Sequence, residues 1–337
     1  MNLSYPVGKL PPAILARILA DAPLFDDRVR LGPGIGLDCA VVDAGEFYWV
    51  FKAEPITFAT DQIGWYAVQV ASNDIATTGA EPRFILLTLL LPEGQSDETL
   101  VRSISDQVFT ACRQHRISVL GGHTEVTHGI DRPLLAVTMI GEVAKDKLVT
   151  PRGAQAGDVL LLTKGIPIEA TALLAREFPN RLQPFLTRSE INEASSYLND
   201  PGISILSDAQ VALEAGRVTA MHDPTEGGLS AALWELAQAC GKDIDFDPAA
   251  VTISDLSKRI CQAFALDPFA TLASGALLLT VHPEDVNAIL AALQKNEIAA
   301  SRIGKIVEGS GKVFTGASNQ ISPWPYPERD EIGKVYG

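Results

Sequence analysis

The chain has 337 residues, 47% hydrophobic and 20% charged, so it can bury a substantial core, and its length favours two domains. Its formal net charge of -14 argues against nucleic acid or an anionic membrane surface as the main partner, because binding to either needs basic surface. The N-terminus lacks a signal-peptide pattern and no apolar run is long enough to span a bilayer, which predicts a cytoplasmic protein.

The first 150 residues predict a sheet with two long helices. Runs rich in β-branched and aromatic residues indicate strands, and apolar residues at helical spacing indicate helices. In chain order the predicted elements are the strands GLDCAVVDA and EFYWVFKA, a helix from Ile63 to about Thr78, the buried strand FILLTLLL, a helix from about Asp97 to His115, and the strands ISVLGG and LLAVTMIGEV.

A connection that contains Gly and Pro, TPRGAQAGD at residues 150–158, marks the predicted domain boundary. We therefore predict domains at residues 1–150 and 151–337. The strands and helices that follow the connection predict an α/β unit. The proline-rich tail after Gly309 is expected to lie over its surface.

The segment MHDPTEGGLSAALWELAQACG, residues 221–241, places acidic residues ahead of an apolar-periodic run. Asp223 as the N-cap and Glu226 three residues later would form a capping box. Capping does not explain Gly227 and Gly228, because a glycine inside a helix costs about 1 kcal/mol relative to alanine. Glycine there would let an anion approach the backbone, so a helix cap and a ligand site both stay open.

Acidic residues recur at predicted element ends, most of them close to glycines, namely Asp38, Glu54, Asp61, Asp74, Glu125 and Asp223. Asp38 and Asp61 could equally be turn formers. Asp74 lies near a predicted helix C-terminus, where a negative charge is disfavoured, so it requires a compensating cation. Several carboxylates converging on one spot would repel unless a divalent ion held them, and Mg²⁺ prefers such ligands together with phosphate. Walker A and Rossmann loops are absent from the sequence.

Two histidines and one lysine adjoin these segments. His123 and His222 could each be a general acid or base, or a hydrogen-bonded structural residue. Lys164, at the end of a predicted strand, could reach a phosphate or be a solvated side chain. The four cysteines form no CxxC pair, so neither a disulfide framework nor a zinc site is predicted.

Five ordered blocks resemble the aminoimidazole-ribonucleotide synthetase (PurM-like) superfamily, and within it the HypE-like hydrogenase maturation proteins. The blocks cover most of the chain and are VGKLPPAIL, GPGIGLDCAVV, IGWYAVQVASNDIATTGAEPRFILLTLLLPEG, GGHTEVT and HDPTEGGLSAALWELAQACG. The resemblance implies an α+β fold with an N-terminal ATP-binding and dimerisation domain and a C-terminal α/β domain. It also implies a homodimer, for which the apolar strands FILLTLLL and EFYWVF offer surface.

The resemblance further implies a site for ATP and Mg²⁺ between the two domains. The carboxylates matched to magnesium ligands are Asp38, Glu54, Asp74 and Asp223. The residues matched to nucleotide contacts are Asn73, Gly121, Gly122, Thr124, Glu125, Thr225, Glu226, Gly227 and Gly228. His123 and His222 are the candidate catalytic residues.

The sequence also departs from the pattern of these relatives. Lys52, Ala53 and Glu54 stand where relatives often carry Thr-Thr-Asp, and GGHTE stands where HypE proteins usually carry GGDTK. HypE proteins end in a cysteine that carries a carbamoyl group, whereas this sequence ends KVYG. We therefore expect the acceptor to be a separate molecule.

The predicted function is ATP- and Mg²⁺-dependent transfer of the γ-phosphoryl group to an oxygen of a small-molecule or partner-borne acceptor. One alternative is a nucleotide-binding maturation or assembly factor without turnover of its own. Another is a small-molecule kinase of the thiamine-monophosphate kinase type.

Overall fold

The computed structural model describes residues 8–57, 61–316 and 322–336, which form two compact units. The N-terminal unit comprises residues 24–32 and 38–148, and the C-terminal unit comprises the remaining described residues. Residues 8–23 and 33–37 therefore group with the second half of the chain, although they precede the predicted boundary. In the described parts of the chain, no helix is both long and apolar enough to cross a membrane.

The first described helix, α1 (Pro12–Ala20), belongs to the C-terminal unit. The N-terminal unit contains, in chain order, β1 (Val29–Leu31), β2 (Ala40–Asp43), β3 (Phe47–Ile56), α2 (Ile63–Ala76), β4 (Glu81–Pro92), α3 (Glu98–His115), β5 (Ser118–Thr127) and β6 (Leu134–Ala144).

The six strands of the N-terminal unit form one sheet in the order β1-β2-β3-β6-β4-β5, in which only β4 and β5 pair in parallel. Helix α2 packs on β3 and β6, and Val50 on that face is fully buried. Because side chains alternate along a strand, Lys52 and Glu54 share this helix-facing side with Val50. The strand order and the alternation of side chains along β3 thus place the charged side chains of Lys52 and Glu54 beneath α2.

The opposite face of this sheet carries an aromatic stripe. Trp49 stacks on Phe51 and Phe84 with ring centroids 6.1 and 6.0 Å apart. FILLTLLL was predicted to be a buried strand; Ile85, Leu89 and Leu91 are buried, but Leu86 on the other face of β4 is 39% exposed. The physical reason is that the helices of the unit cover only one face, and β4 alternates between the two.

The C-terminal unit contains β7 (Val159–Thr163), α4 (Ile168–Glu177), α5 (Pro179–Leu182), α6 (Arg188–Ser196), α7 (Leu206–Ala215), β8 (Val218–His222), α8 (Gly228–Cys240), β9 (Asp243–Phe246), α9 (Asp255–Ala263), β10 (Leu278–Val281), α10 (Val286–Lys295), β11 (Ala300–Val307), β12 (Val313–Thr315), β13 (Ser322–Pro323) and α11 (Gly333–Tyr336). Its sheet has the order β13-β12-β9-β11-β7-β10-β8, and only β9 and β12 pair in parallel.

The C-terminal segment 322–336 is packed into this unit. Trp324 meets Phe246 with ring centroids 5.0 Å apart, and Ile332 is fully buried. The Trp324 indole N–H donates to Ser230 Oγ at 3.0 Å. Several residues of this segment are exposed, as expected of a tail lying over the surface, and the half-buried Trp324 and the buried Ile332 anchor it to the unit.

Candidate functional site

In the N-terminal unit, the carboxylates of Glu54 and Asp74 meet at one lysine. The Lys52 Nζ lies 3.1 Å from Glu54 Oε2 and 3.2 Å from Asp74 Oδ2. The side chains of Lys52, Glu54 and Asp74 are 14%, 15% and 3% exposed. Asp74 lies in the last turn of α2, so the cation that its position was predicted to require is the ammonium of Lys52.

This lysine is held in its charged form. Burial by itself lowers the pKa of Lys52, but the neighbouring Asp74, Glu54 and Asp38 outweigh it and bring that pKa well above its usual value. A divalent ion about 4 Å from the ammonium would be repelled by about 8 kcal/mol at an effective dielectric constant of about 20. The carboxylates would have to offset that repulsion before a metal ion could bind beside Lys52.

Next to this cluster, Asn73 is fully buried on α2. The thiol of Cys39, which follows Asp38, donates to the backbone carbonyl oxygen of Asp74 at 3.3 Å. This bond ties the chain at Asp38 to the end of α2. The negative charge of Asp38 also raises the pKa of Lys52.

The sequence block GGHTE lies on the edge strand β5, away from Lys52. The sheet order separates β5 from β3 by three strand positions, about 14 Å at the usual strand spacing. His123 Nε2 lies 3.1 Å from Glu125 Oε2, and their side chains are 65% and 48% exposed. Gly122 has a φ of 152°, and a Cβ there would lie 1.8 Å from Leu87 O, so this glycine is required by close strand packing.

In the C-terminal unit, His222 ends β8 and is buried. Its Nε2 lies 2.8 Å from Glu235 Oε2, and Glu235 in turn lies 3.4 Å from the Lys9 ammonium. Lys9 is also 3.9 Å from Glu226. Asp223 follows His222 and is 2% exposed. A buried histidine, a buried carboxylate and a second ion-paired carboxylate thus lie within five residues.

The predicted capping box at Asp223 is wrong. Helix α8 begins at Gly228, its N-cap is Gly227 in the left-handed region, and no side chain of the segment caps it. The backbone N–H of Gly227 instead donates to Asp330 Oδ2 at 2.6 Å, across 103 residues of chain. Burial raises the pKa of Asp330 to about 6, against the hydrogen bonds from the N–H groups of Ile332, Gly227 and Leu272.

The second glycine of the pair has a packing reason. Gly228 has a φ of 59°, and a Cβ there would lie 2.6 Å from the carbonyl oxygens of Phe269 and Thr271. The approach of a ligand is therefore not needed to explain Gly228. Thr225 contributes its carbonyl oxygen, which accepts a hydrogen bond from the Gly228 N–H at 2.9 Å.

Sequence reasoning missed Glu169, and of the two alternatives for Lys164 the structure removes the solvated side chain. Glu169 lies in the first turn of α4, and burial raises its pKa to about 8 against a hydrogen bond with Ser274. Lys164 is not solvated: its side chain is 8% exposed and its Nζ lies 3.2 Å from Asp208. No local pattern pointed to Glu169, whereas the two-residue spacing of Lys52 and Glu54 on one strand could have indicated the Lys52 contact.

Across the described ranges, no group of three or more His, Cys, Asp and Glu side chains is placed to hold a metal ion. The structure brings Glu54 and Asp74 together at Lys52. In the C-terminal unit it links His222 to Glu226 through Glu235 and Lys9, and Asp223 is next to His222 in the chain. His123 and Glu125 form a separate exposed pair on β5.

Two sheet-and-helix units, each with buried carboxylates at element ends, define a two-domain α+β protein of the PurM-like class. The model of the AIR synthase related protein N-terminal domain matches residues 36–143, and that of the C-terminal domain matches residues 155–316. The chain therefore belongs to the AIR synthase related proteins. This confirms the predicted superfamily and fold class.

The chain is also similar to HypE proteins. It is 26% identical to the carbamoyl dehydratase HypE of Escherichia coli K12, over 85% of this chain and 82% of that relative. A solved structure of the hydrogenase maturation protein HypE in complex with ATP has a TM-score of 0.70 at 22% identity, covering 95% of this chain and 91% of that one. A chain of the solved HypE-HypF complex has a TM-score of 0.68 at 18% identity, covering 85% of this chain and 93% of that one.

Proposed function

We propose that this chain is an ATP- and magnesium-dependent enzyme that transfers the γ-phosphoryl group to an oxygen of a small-molecule or partner-borne acceptor. The observation that carries the proposal is the presence of buried acidic side chains in both matched domains, Asp74 in one and Asp223 in the other. The similar HypE structure with ATP supports the choice of nucleotide.

Phosphoryl transfer needs positioning and charge neutralisation more than a protein nucleophile. Carboxylate oxygens suit Mg²⁺, which would neutralise charge on the phosphates when bound. Asp38 and Asp223 fit this role, whereas Glu54 and Asp74 fit it only in competition with Lys52. The proposed ligand set nevertheless keeps all four carboxylates.

The proposed nucleotide contacts are Asn73 and the backbone and polar groups of two segments. The first segment, on β5, consists of Gly121, Gly122, Thr124 and Glu125. The second, before and at the start of α8, consists of Thr225, Glu226, Gly227 and Gly228. Of the two proposed proton-transfer residues, His222 is the better supported, because Glu235 at 2.8 Å orients its ring. His123 is supported only by its contact with Glu125.

A protein-borne acceptor is supported by the similar HypE-HypF structure, in which HypE binds another protein. The alternative of a nucleotide-binding assembly factor without turnover is favoured by one observation, namely that Glu54 is already paired with Lys52. ATP-dependent ADP release in the presence of a candidate acceptor protein distinguishes the two.

Calorimetry with ATP, with and without Mg²⁺, tests the proposal. We expect the wild type to bind ATP with Mg²⁺, and Asp74→Asn and Asp223→Asn to bind at least tenfold more weakly. Asp146→Asn, at an exposed position, is the matched control and should bind like the wild type. Equal binding by all four proteins would remove the assignment of these carboxylates.

A further inference from the structure

The acidic cluster of the N-terminal unit is built around a positive charge that the chain itself supplies. We define the Lys52 cluster as Lys52, Asp38, Glu54 and Asp74. The ammonium is within 3.2 Å of one oxygen of Glu54 and one of Asp74, and Asp38 acts on it electrostatically. The cluster is mostly buried, so bulk water screens these charges little.

The backbone fixes the position of this lysine. Lys52 lies in the middle of β3, where it pairs with Met139 of β6, and Met139 is fully buried on the same face. Glu54 is two residues along the same strand, and Asp74 comes from the helix packed over it. The backbone positions of these residues therefore fix the contact of the Lys52 ammonium with both carboxylates. A surface lysine, by contrast, can move from one partner to another.

Glu54 Oε2 and Asp74 Oδ2 cannot coordinate a metal ion without placing it next to the Lys52 ammonium. Magnesium binds carboxylate oxygens at about 2.0–2.1 Å, so an ion shared by Glu54 and Asp74 would lie close to the Lys52 Nζ, a like charge. In water the ammonium would move away, but here burial and the strand restrict it. The cluster therefore either keeps its lysine or rearranges to admit a metal ion.

We propose that the ammonium of Lys52 is the resident cation of this cluster, and that the nucleotide-free protein binds no divalent ion between Glu54 and Asp74. Lys52 is thus a positioning residue that holds the two carboxylates in place without a metal. Only the part that these carboxylates play in nucleotide binding rests on the proposed function. The inference implies that any magnesium ion that reaches the cluster arrives with the nucleotide.

The test is Mn²⁺ binding to nucleotide-free protein, measured by electron paramagnetic resonance and calorimetry. The wild type should show no saturable site at the cluster up to millimolar Mn²⁺. Lys52→Met removes the charge at similar length and should bind Mn²⁺ at least tenfold more tightly than the wild type, with a rise in its melting temperature on adding Mn²⁺. Lys52→Arg keeps the charge and should behave like the wild type.

Adding Asp74→Asn to Lys52→Met should abolish the gained site. Two results would overturn the inference: saturable Mn²⁺ binding by the wild type that Asp74→Asn removes, or a folded Lys52→Met protein that binds Mn²⁺ no better than the wild type. The wild-type measurement with Asp74→Asn tests the inference even if Lys52→Met does not fold. Since no nucleotide is present, a failure to bind ATP in the separate calorimetry leaves this result unchanged.

Discussion

Asp330 Oδ2 accepts a 2.6 Å hydrogen bond from the backbone N–H of Gly227, so the C-terminal segment holds the loop that leads into α8. The other oxygen of Asp330 accepts from the N–H groups of Ile332 and Leu272 at 2.7 and 3.3 Å. One carboxylate thus satisfies three backbone donors, and it joins the segment 322–336 to the residues that follow Asp223.

Asp330→Ala should lower the free energy of unfolding by about 1–3 kcal/mol, because it leaves buried N–H groups without an acceptor. Under the proposed function it should also weaken ATP binding, since the loop after Asp223 loses its anchor. Urea unfolding and calorimetry measure the two effects. Glu328→Ala, in the same segment but exposed, is the control. An unchanged unfolding free energy for Asp330→Ala would contradict the anchoring role.

The buried carboxyl of Glu169 should make stability fall as pH rises. Burial raises its pKa from 4.5 to about 8, so the folded state favours the protonated form. Its contribution is complete below about pH 4.5 and is lost as pH rises through about 8. The full difference is on the order of 5 kcal/mol.

Glu169→Gln should flatten this dependence, because the amide stays neutral at every pH. Urea unfolding at pH 5 and pH 9 should show the variant gaining stability relative to the wild type at the higher pH. Glu193→Gln, at an exposed position on α6, should leave the profile unchanged. Parallel profiles for Glu169→Gln and the wild type would show that Glu169 does not titrate in this window.

We propose that the chain forms a homodimer through the N-terminal unit, as its apolar sheet face suggests. The aromatic stripe of Trp49, Phe51 and Phe84 and the 39% exposed Leu86 share that face. A symmetric pair would bury this surface. Leu86→Glu should therefore shift the mass measured by light scattering from dimer towards monomer at micromolar concentration.

Phe109→Glu is the matched control for the dimer, because Phe109 is 40% exposed on α3, in the helix layer of the same unit. It should leave the mass unchanged. A wild-type protein that already scatters as a 36.0 kDa monomer would contradict the proposal.

The buried cysteines should resist chemical modification in the folded chain. Burial raises the pKa of Cys112 to about 11 and that of Cys261 to about 12, so little thiolate forms at neutral pH. Iodoacetamide should label the half-buried Cys240 first and reach Cys39, Cys112 and Cys261 only after denaturation. Peptide mass spectrometry measures the order.

For the same reason we expect Cys261 not to accept a carbamoyl group. Intact-mass analysis after incubation with ATP, carbamoyl phosphate and a carbamoyl-transferring partner should show no gain on the peptide that contains Cys261. A stable carbamoyl or cyano adduct there would show that the site opens during turnover.

The sequence by itself determined the elements whose signals are local. Helix α3 was predicted from Asp97 to His115, and in the structure Asp97 is the N-cap that accepts from the Leu100 N–H at 2.8 Å. Helix α2 was predicted from Ile63 and ends at Ala76, two residues before the predicted end. Apolar spacing and caps act within a few residues, so they can be recognised without knowledge of the fold. The ordered blocks also determined the superfamily.

Only the tertiary structure decided the contacts that define the candidate site. Lys52 looked like a departure from the family pattern, and its role appeared when α2 placed Asp74 at 3.2 Å from its ammonium. The segment after Asp223 looked like a helix cap, but the donor that a cap would satisfy is held by Asp330 from 103 residues away. A hydrogen bond or an ion pair depends on distance in space, and packing of sheets and helices sets that distance for residues far apart in the chain.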